Sequence, residues 1–186
     1  MVEDQIKWNK KYKVKTVDIS HPDMFFVENI GSIQGKTILD LAGGDGKNSL
    51  YLASQNYDVT LLDISSEAIT RLNQFASDKN LKISSIIMDL DDLQAFQEID
   101  KFDNIIISFF KPSIKLFQLL YSRLNPKGRI FLHTYSIDQH LVHGFPKRFC
   151  LDKDEFTHLS PHLTLIDHQK QKSNDSFLEN YIFELK

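Results

Sequence analysis

A chain of 186 residues, 41% hydrophobic and 25% charged, is long enough to bury one substantial core and is expected to fold as a single globular domain. A formal net charge of −3 argues against a nucleic-acid partner. The nearest thing to a basic face, Lys7, Lys10, Lys11, Lys13 and Lys15, is interrupted by Trp8, Tyr12 and Val14 and reads as the solvated side of a helix. The single cysteine, Cys150, excludes an internal disulfide and a cysteine-based zinc site. The N-terminus opens acidic, and the strongest apolar run, Ile105 to Phe110, is too short to span a bilayer, so a cytoplasmic protein without a membrane partner is expected.

In chain order, residues 1–36 are expected to form a helix around Trp8 and Tyr12, followed by an irregular segment across His21-Pro22. From Thr37 onward short β-branched runs alternate with helical spacing. Seven strands are predicted: Thr37–Leu41, Val59–Asp63, Ile83–Met88, Asn104–Phe109, Arg129–Thr134, Leu163–His168 and Phe177–Leu185. One helix follows the glycine-rich turn over Asn48–Gln55. Ser65 can cap a second, with Ala68, Ile69, Leu72, Phe75 and Ala76 on one face. Ser113 can open a third, with Ile114, Phe117, Leu120, Tyr121 and Leu124 inward, and Asn125-Pro126-Lys127-Gly128 turns the chain into the next strand. This alternation implies right-handed crossovers and a doubly wound, Rossmann-like, mostly parallel sheet. No helix separates the last two strands, and Ser173-Asn174-Asp175-Ser176 reads as their connection, so they should form a C-terminal antiparallel hairpin.

The residues that carry chemistry fall at strand ends, where open α/β sheets bind ligands. The first strand delivers Asp40 and the turn Ala42-Gly43-Gly44-Asp45-Gly46, whose glycines allow close backbone approach. Nucleotide turns of this kind usually present helix N–H groups to phosphate, and two carboxylates there oppose one. A ligand with a cationic amine and a cationic sulfonium, as in S-adenosylmethionine (SAM), suits them better. The second strand ends in Asp63, about twenty residues after the turn, the spacing at which an acid reaches ribose hydroxyls. The third ends in Met88, Asp89 and Leu90, suited to an adenine amino group and ring, and the fourth in Ser108, Phe109 and Phe110. Each has a plain structural alternative: a strand-end Asp often caps a helix, and Phe109 and Phe110 can simply be core.

These residues resemble those of class I SAM-dependent methyltransferases. Leu39–Gly46 resembles the acid-x-G-x-G-x-G loop with Ala42 at the first glycine. Leu61-Leu62-Asp63-Ile64-Ser65 resembles the ribose-binding motif, and Leu124–Gly128 the L-x-P-G-G turn with Lys127 at a glycine. The resemblance implies that Asp40 holds the methionine amino group, Gly43 and Gly44 admit the methionine moiety, Asp63 with Ile64 holds the ribose, and Asp89 the adenine. Trp8-Asn9-Lys10-Lys11-Tyr12 and Gly46-Lys47-Asn48-Ser49-Leu50-Tyr51-Leu52-Ala53 are similar to the small-molecule branch containing tellurite-resistance methyltransferases, with Lys47 for arginine and Ser49 for alanine. In that branch the N-terminal segment closes the cofactor site, which implies a lid role for Trp8 and Tyr12. Packing of both onto the core is the alternative.

Methyl transfer is an in-line displacement that positioning can accelerate, and a soft acceptor needs no general base. For other acceptors the candidate bases are Tyr12, His133 near the end of the fifth strand, and His140 and His143 in the Asp138–Phe145 loop. None of the seven histidines has an evident partner, and no metal site is expected: His140-x-x-His143 lacks a third ligand, and Pro161 interrupts His158 and His162. Ser108–Pro112 stands where amino methyltransferases of nucleic-acid bases carry N-P-P-Y. The expected activity is methylation of a small molecule. A non-catalytic SAM-binding module, or an NAD-dependent oxidoreductase whose turn lacks G-x-G-x-x-G, are the alternatives.

Overall fold

The computed structural model describes residues 2–16, 18–173 and 175–186. It contains α1 (Val2–Lys13), α2 (Met24–Glu28), β1 (Thr37–Leu41), α3 (Lys47–Ser54), β2 (Asp58–Asp63), α4 (Ser66–Asp78), β3 (Ile83–Ile87) and α5 (Leu93–Gln97). These are followed by β4 (Phe102–Ser108), α6 (Ile114–Leu120), β5 (Leu124–Ser136), α7 (Ile137–His143), β6 (Cys150–Leu151), β7 (Leu163–Ser173) and β8 (Ser176–Leu185). The chain divides into two compact units, Met1–Ile99 and Asp100–Lys186.

In the first unit β1, β2 and β3 run parallel, with Asp40 opposite Leu61 and Asp63 opposite Ile87. Ile38, Leu39 and Leu41 are fully buried, as continuous apolar strands covered on both faces must be. Leu50, Leu61, Ile69, Leu72 and Ala76 form one core cluster, with Phe75 half-buried against it. The predicted cap is made: the Ser65 hydroxyl accepts from Ala68 N–H at 3.1 Å and starts α4.

In the second unit β4 and β5 are parallel, β8 is antiparallel to both β5 and β7, and Ser108 lies opposite His133. Phe117 stacks on Phe156 at 4.3 Å and meets Phe183 edge-on, filling the core. Ser113 caps α6 by accepting from Leu116 N–H, but Ile114 is exposed and Leu116 is buried in its stead. The predicted hairpin is present, with Ser173 opposite Ser176; Asn174 lies outside the described residues.

Two expectations are corrected. The described residues hold eight strands rather than seven, because Cys150–Leu151 pairs in parallel with Tyr135–Ser136. A two-residue strand after a proline leaves no alternation to read. Asp138–Phe145, expected as a loop, is largely α7, closed by Gly144 in the left-handed conformation that favours glycine. At the Asn125–Gly128 turn, Lys127 adopts φ 64°, the conformation for which the resembled motif uses glycine.

Candidate functional site

Of the predicted cofactor residues, Asp40, Ala42, Gly43, Gly44, Asp63, Ile64, Met88, Asp89 and Leu90 lie in the first unit, at or after the ends of β1, β2 and β3, and Ser108 lies in the second. Asp40 is completely buried; its Oδ2 accepts from the Ser49 hydroxyl at 2.7 Å, while its Oδ1 has no hydrogen-bond partner among the described residues. A buried carboxylate oxygen without a donor is costly, because burial strips its water without replacement. Burial accordingly pushes the Asp40 carboxyl up to about 7. The Ser49 hydrogen bond opposes the shift, nearby Asp23 and Asp63 add to it, and Lys47 opposes it. A cationic amine would fit here, since it would supply a donor to this oxygen and a compensating charge.

Ala42 bends the chain with φ 57°, doing with an L-residue what the resembled loop does with glycine. The hydrogens of Gly43 and Gly44 face protein groups. A Cβ on Gly43 would strike Leu61 and the Asp40 carboxylate, and one on Gly44 would strike the Tyr12 hydroxyl. These glycines let Asp40 and Tyr12 approach the loop backbone. Asp45, the loop's second acid, is matched within the unit by Lys15 at 2.7 Å and Arg71 at 3.3 Å. Asp45, expected to await ligand charge together with Asp40, is therefore already matched in charge by the protein itself.

Asp63 links the strand tips. Its Oδ2 accepts from Gly44 N–H and its Oδ1 from Ser65 N–H, both at 2.8 Å, and its backbone carbonyl accepts from Met88 N–H at 3.0 Å. Burial raises its pKa, and the hydrogen bonds from Ser65 and Gly44 partly restrain it. A carboxylate has about four acceptor positions, so the N–H groups of Ser65, Gly44 and Ile64 still leave capacity for a hydroxyl donor. Asp89 is half-buried and accepts from Asp91 N–H at 3.0 Å; Leu90 is buried beside it. Ile64 is half-buried, and its carbonyl accepts from Gln5 Nε2 at 3.1 Å.

Helix α1 turns Gln5, Asn9 and Tyr12 to one side, the i, i+4, i+7 spacing of a helix face. Asn9 Oδ1 accepts from the Ser65 hydroxyl at 2.7 Å and from Glu67 N–H at 3.3 Å, adding a cap to α4. Burial raises the Tyr12 pKa well above that of an ordinary phenol, and Asp63, Asp45 and Asp40 raise it further, so its hydroxyl is unsuited to act as a base. The sequence reading missed Gln5, Asn9 and the Ser49–Asp40 bond. It also missed Asp23, which receives Lys47 Nζ at 2.5 Å and Asn48 Nδ2 at 3.0 Å and ties the His21-Pro22 segment to the start of α3.

In the second unit, Ser108 ends β4 half-buried, and Phe109 follows with φ 50°. His133 is buried, with Nδ1 2.6 Å from Asn180 Oδ1. His140 Nδ1 lies 2.8 Å from the Phe145 carbonyl, and the His143 ring packs 5.6 Å from Phe177. Asp154, His168 and Glu179 cluster elsewhere in this unit, where Glu179 accepts from His168 and Tyr181.

A family model described as "Tellurite resistance protein TehB" matches residues 1–121. The chain is 31% identical over 103 residues to the "Probable S-adenosyl-L-methionine-dependent methyltransferase TehB" of Haemophilus influenzae (strain 10810), covering 55% of this chain and 34% of that protein. The chain therefore spans about a third of the length of the curated relatives it matches. Among solved structures, TehB from Haemophilus influenzae superposes with TM-score 0.73 at 20% identity, covering 98% of this chain and 67% of that one. A protein solved in connection with the conversion of a disulfide bond into a thioacetal group during echinomycin biosynthesis gives TM-score 0.77 at 19% identity, covering 97% and 91%. Both likenesses support a Rossmann-like fold, and no helix among the described residues is long and apolar enough to cross a membrane. The family match extends over both the glycine loop and the helix that packs on it, and this chain belongs to the TehB family.

Proposed function

We propose that this protein is a SAM-dependent methyltransferase acting on a small molecule in the cytoplasm, its whole chain forming one domain with residues 1–36 as the lid. The observation that carries the reading is Asp40, buried at the tip of β1 with one oxygen unmatched in a TehB-family glycine loop. Asp40 holds the methionine amino group; Ala42, Gly43 and Gly44 shape the backbone beside it. Asp63 and Ile64 hold the ribose, and Met88, Asp89 and Leu90 the adenine. SAM, when bound, supplies a methyl group made electrophilic by its sulfonium. The protein's own task is to orient donor and acceptor and exclude water.

Tyr12 acts in this reading by covering the loop, in keeping with its raised pKa. His133 is the strongest candidate base: Asn180 Oδ1 accepts from Nδ1–H, which places the lone pair on Nε2. The test is calorimetry with S-adenosylhomocysteine (SAH) on Asp63→Ala and Asp89→Ala, beside turnover of SAM with thiol, amine and metalloid acceptors. Loss of affinity in Asp63→Ala supports the reading. Unchanged affinity in both variants removes these residues from the cofactor site, and tight binding without turnover of any acceptor marks a non-catalytic module.

A further inference from the structure

The C-terminal hairpin carries a buried acid. Glu179 of β8 is only 1% exposed, and Tyr181, two residues on and so on the same face, is fully buried. Across the ladder, His168 of β7 pairs with Tyr181 and Lys170 with Glu179. The His168 and Tyr181 rings stack at 4.2 Å with 8° between their planes, and Tyr181 stacks in turn on Phe183. The imidazole is thereby fixed with Nε2 2.8 Å from Glu179 Oε1. The Tyr181 hydroxyl donates to the same oxygen at 2.8 Å, and Lys170 Nζ, half-exposed, stands 3.9 Å from it.

A third ligand atom comes from the turn after β6. One carboxylate oxygen of Asp154, one ring nitrogen of His168 and one carboxylate oxygen of Glu179 all lie within 4.8 Å of one another. Spacing along the chain does not disclose this set, because the hairpin register and the turn bring it together. Exposed acids commonly cluster without a ligand, but Glu179 is not exposed. Burying a carboxylate is costly unless donors and opposite charge compensate it. Two carboxylates against one lysine at the edge of ion-pair range leave room for a cation. An imidazole nitrogen with carboxylate oxygens is a set that zinc takes readily, whereas magnesium and calcium favour oxygen ligands alone.

We propose that Asp154, His168 and Glu179 form a site for a divalent transition-metal cation such as zinc, tying the turn at 153–158 to the C-terminal hairpin. The cation takes the place of the Nε2 proton between His168 and Glu179, and the ring carries its proton on Nδ1 instead. Tetrahedral zinc holds two such ligand atoms about 3.3 Å apart, so the Nε2–Oε1 contact opens by about half an ångström. Asp154, on the exposed turn, closes onto the ion, and water takes the fourth position. Tyr181 orients Glu179 from behind, as hydrogen bonds to ligating carboxylates commonly do. The site lies wholly within Asp100–Lys186 and is independent of the methyltransferase reading.

The test titrates zinc chloride into the full chain by calorimetry, without SAM or SAH. One zinc per chain is expected, with a higher melting temperature and slower hydrogen exchange in β7, β8 and residues 152–158. Asp154→Asn, an exposed change that spares the fold, and His168→Gln should each weaken binding at least tenfold. His21→Gln, at an exposed histidine of the other unit, should leave it within twofold. Lys170→Ala should tighten binding severalfold by removing the competing charge, whereas zinc held elsewhere on the surface would ignore it. Circular dichroism checks the fold of each variant. Absence of saturable one-to-one binding overturns the proposal, as does affinity indifferent to both Asp154→Asn and His168→Gln. Displacement of zinc by an equal concentration of magnesium overturns it too.

Discussion

At the residue scale, Asp40 and Ser49 show how a local departure from a motif is put to use. The resembled branch carries alanine where this chain has Ser49, whose hydroxyl orients Asp40. Ser49→Ala should push the Asp40 carboxyl further above 7 and weaken SAH binding several-fold near neutral pH, measured by calorimetry from pH 6 to 8. Unfavourable φ at L-residues gives a second prediction. Lys127 is exposed at φ 64°, where a residue with a Cβ costs about 1–2 kcal/mol. Lys127→Gly should therefore leave stability unchanged or raise it by up to about 1 kcal/mol in urea titration, because strain relief offsets glycine's entropy. Glycine at an ordinary φ would lower it. Asp40, Asp63 and Lys127's glycine-like position were all legible in sequence, since each is set by a local turn. The matching of Asp45 by Lys15 and Arg71 was not, because those partners come from segments about thirty residues away on either side.

At the element scale, strands were read well where β-branched runs are buried on both faces, as in Ile38–Leu41 and Ile105–Ile107. Elements defined by long-range pairing escaped. β6 has only two residues, and α7 is a short mixed segment whose C-terminal signal was Gly144 after His143. Helix α1 was foreseen, but its docking through Gln5 and Asn9 depends on residues more than fifty positions away. This docking is testable. Asn9→Ala removes the acceptor shared by Ser65 and Glu67, a loss of about 1 kcal/mol by comparison with other caps. Hydrogen exchange should speed up in α1 and the first turn of α4 and leave β4, β5 and β8 unchanged. Uniform acceleration across the chain would instead show that α1 is merely part of the global fold.

At the scale of the whole molecule, a buried unmatched carboxylate makes stability and ligand binding respond oppositely to pH. Asp40 has a folded-state pKa of about 7 against an ordinary 3.8, so the folded protein binds more protons between these values. Its favourable contribution is complete below the lower value and is lost as pH rises through the higher one. The unliganded protein should therefore lose stability from pH 5 to 8, by roughly 2–3 kcal/mol at most from this group, and Asp40→Asn should flatten the loss. An ionised Asp40 is, however, what a cationic amine needs. Calorimetric titration of SAH into the parent protein and Asp40→Asn, at pH 6 and pH 8, tests the account most directly. The account predicts tighter binding to the parent at pH 8 than at pH 6, and at least tenfold weaker, nearly pH-independent binding to Asp40→Asn, whose unliganded form melts higher at pH 8. Equal affinities for the two proteins at both pH values, or no binding of SAH to the folded parent, would contradict it.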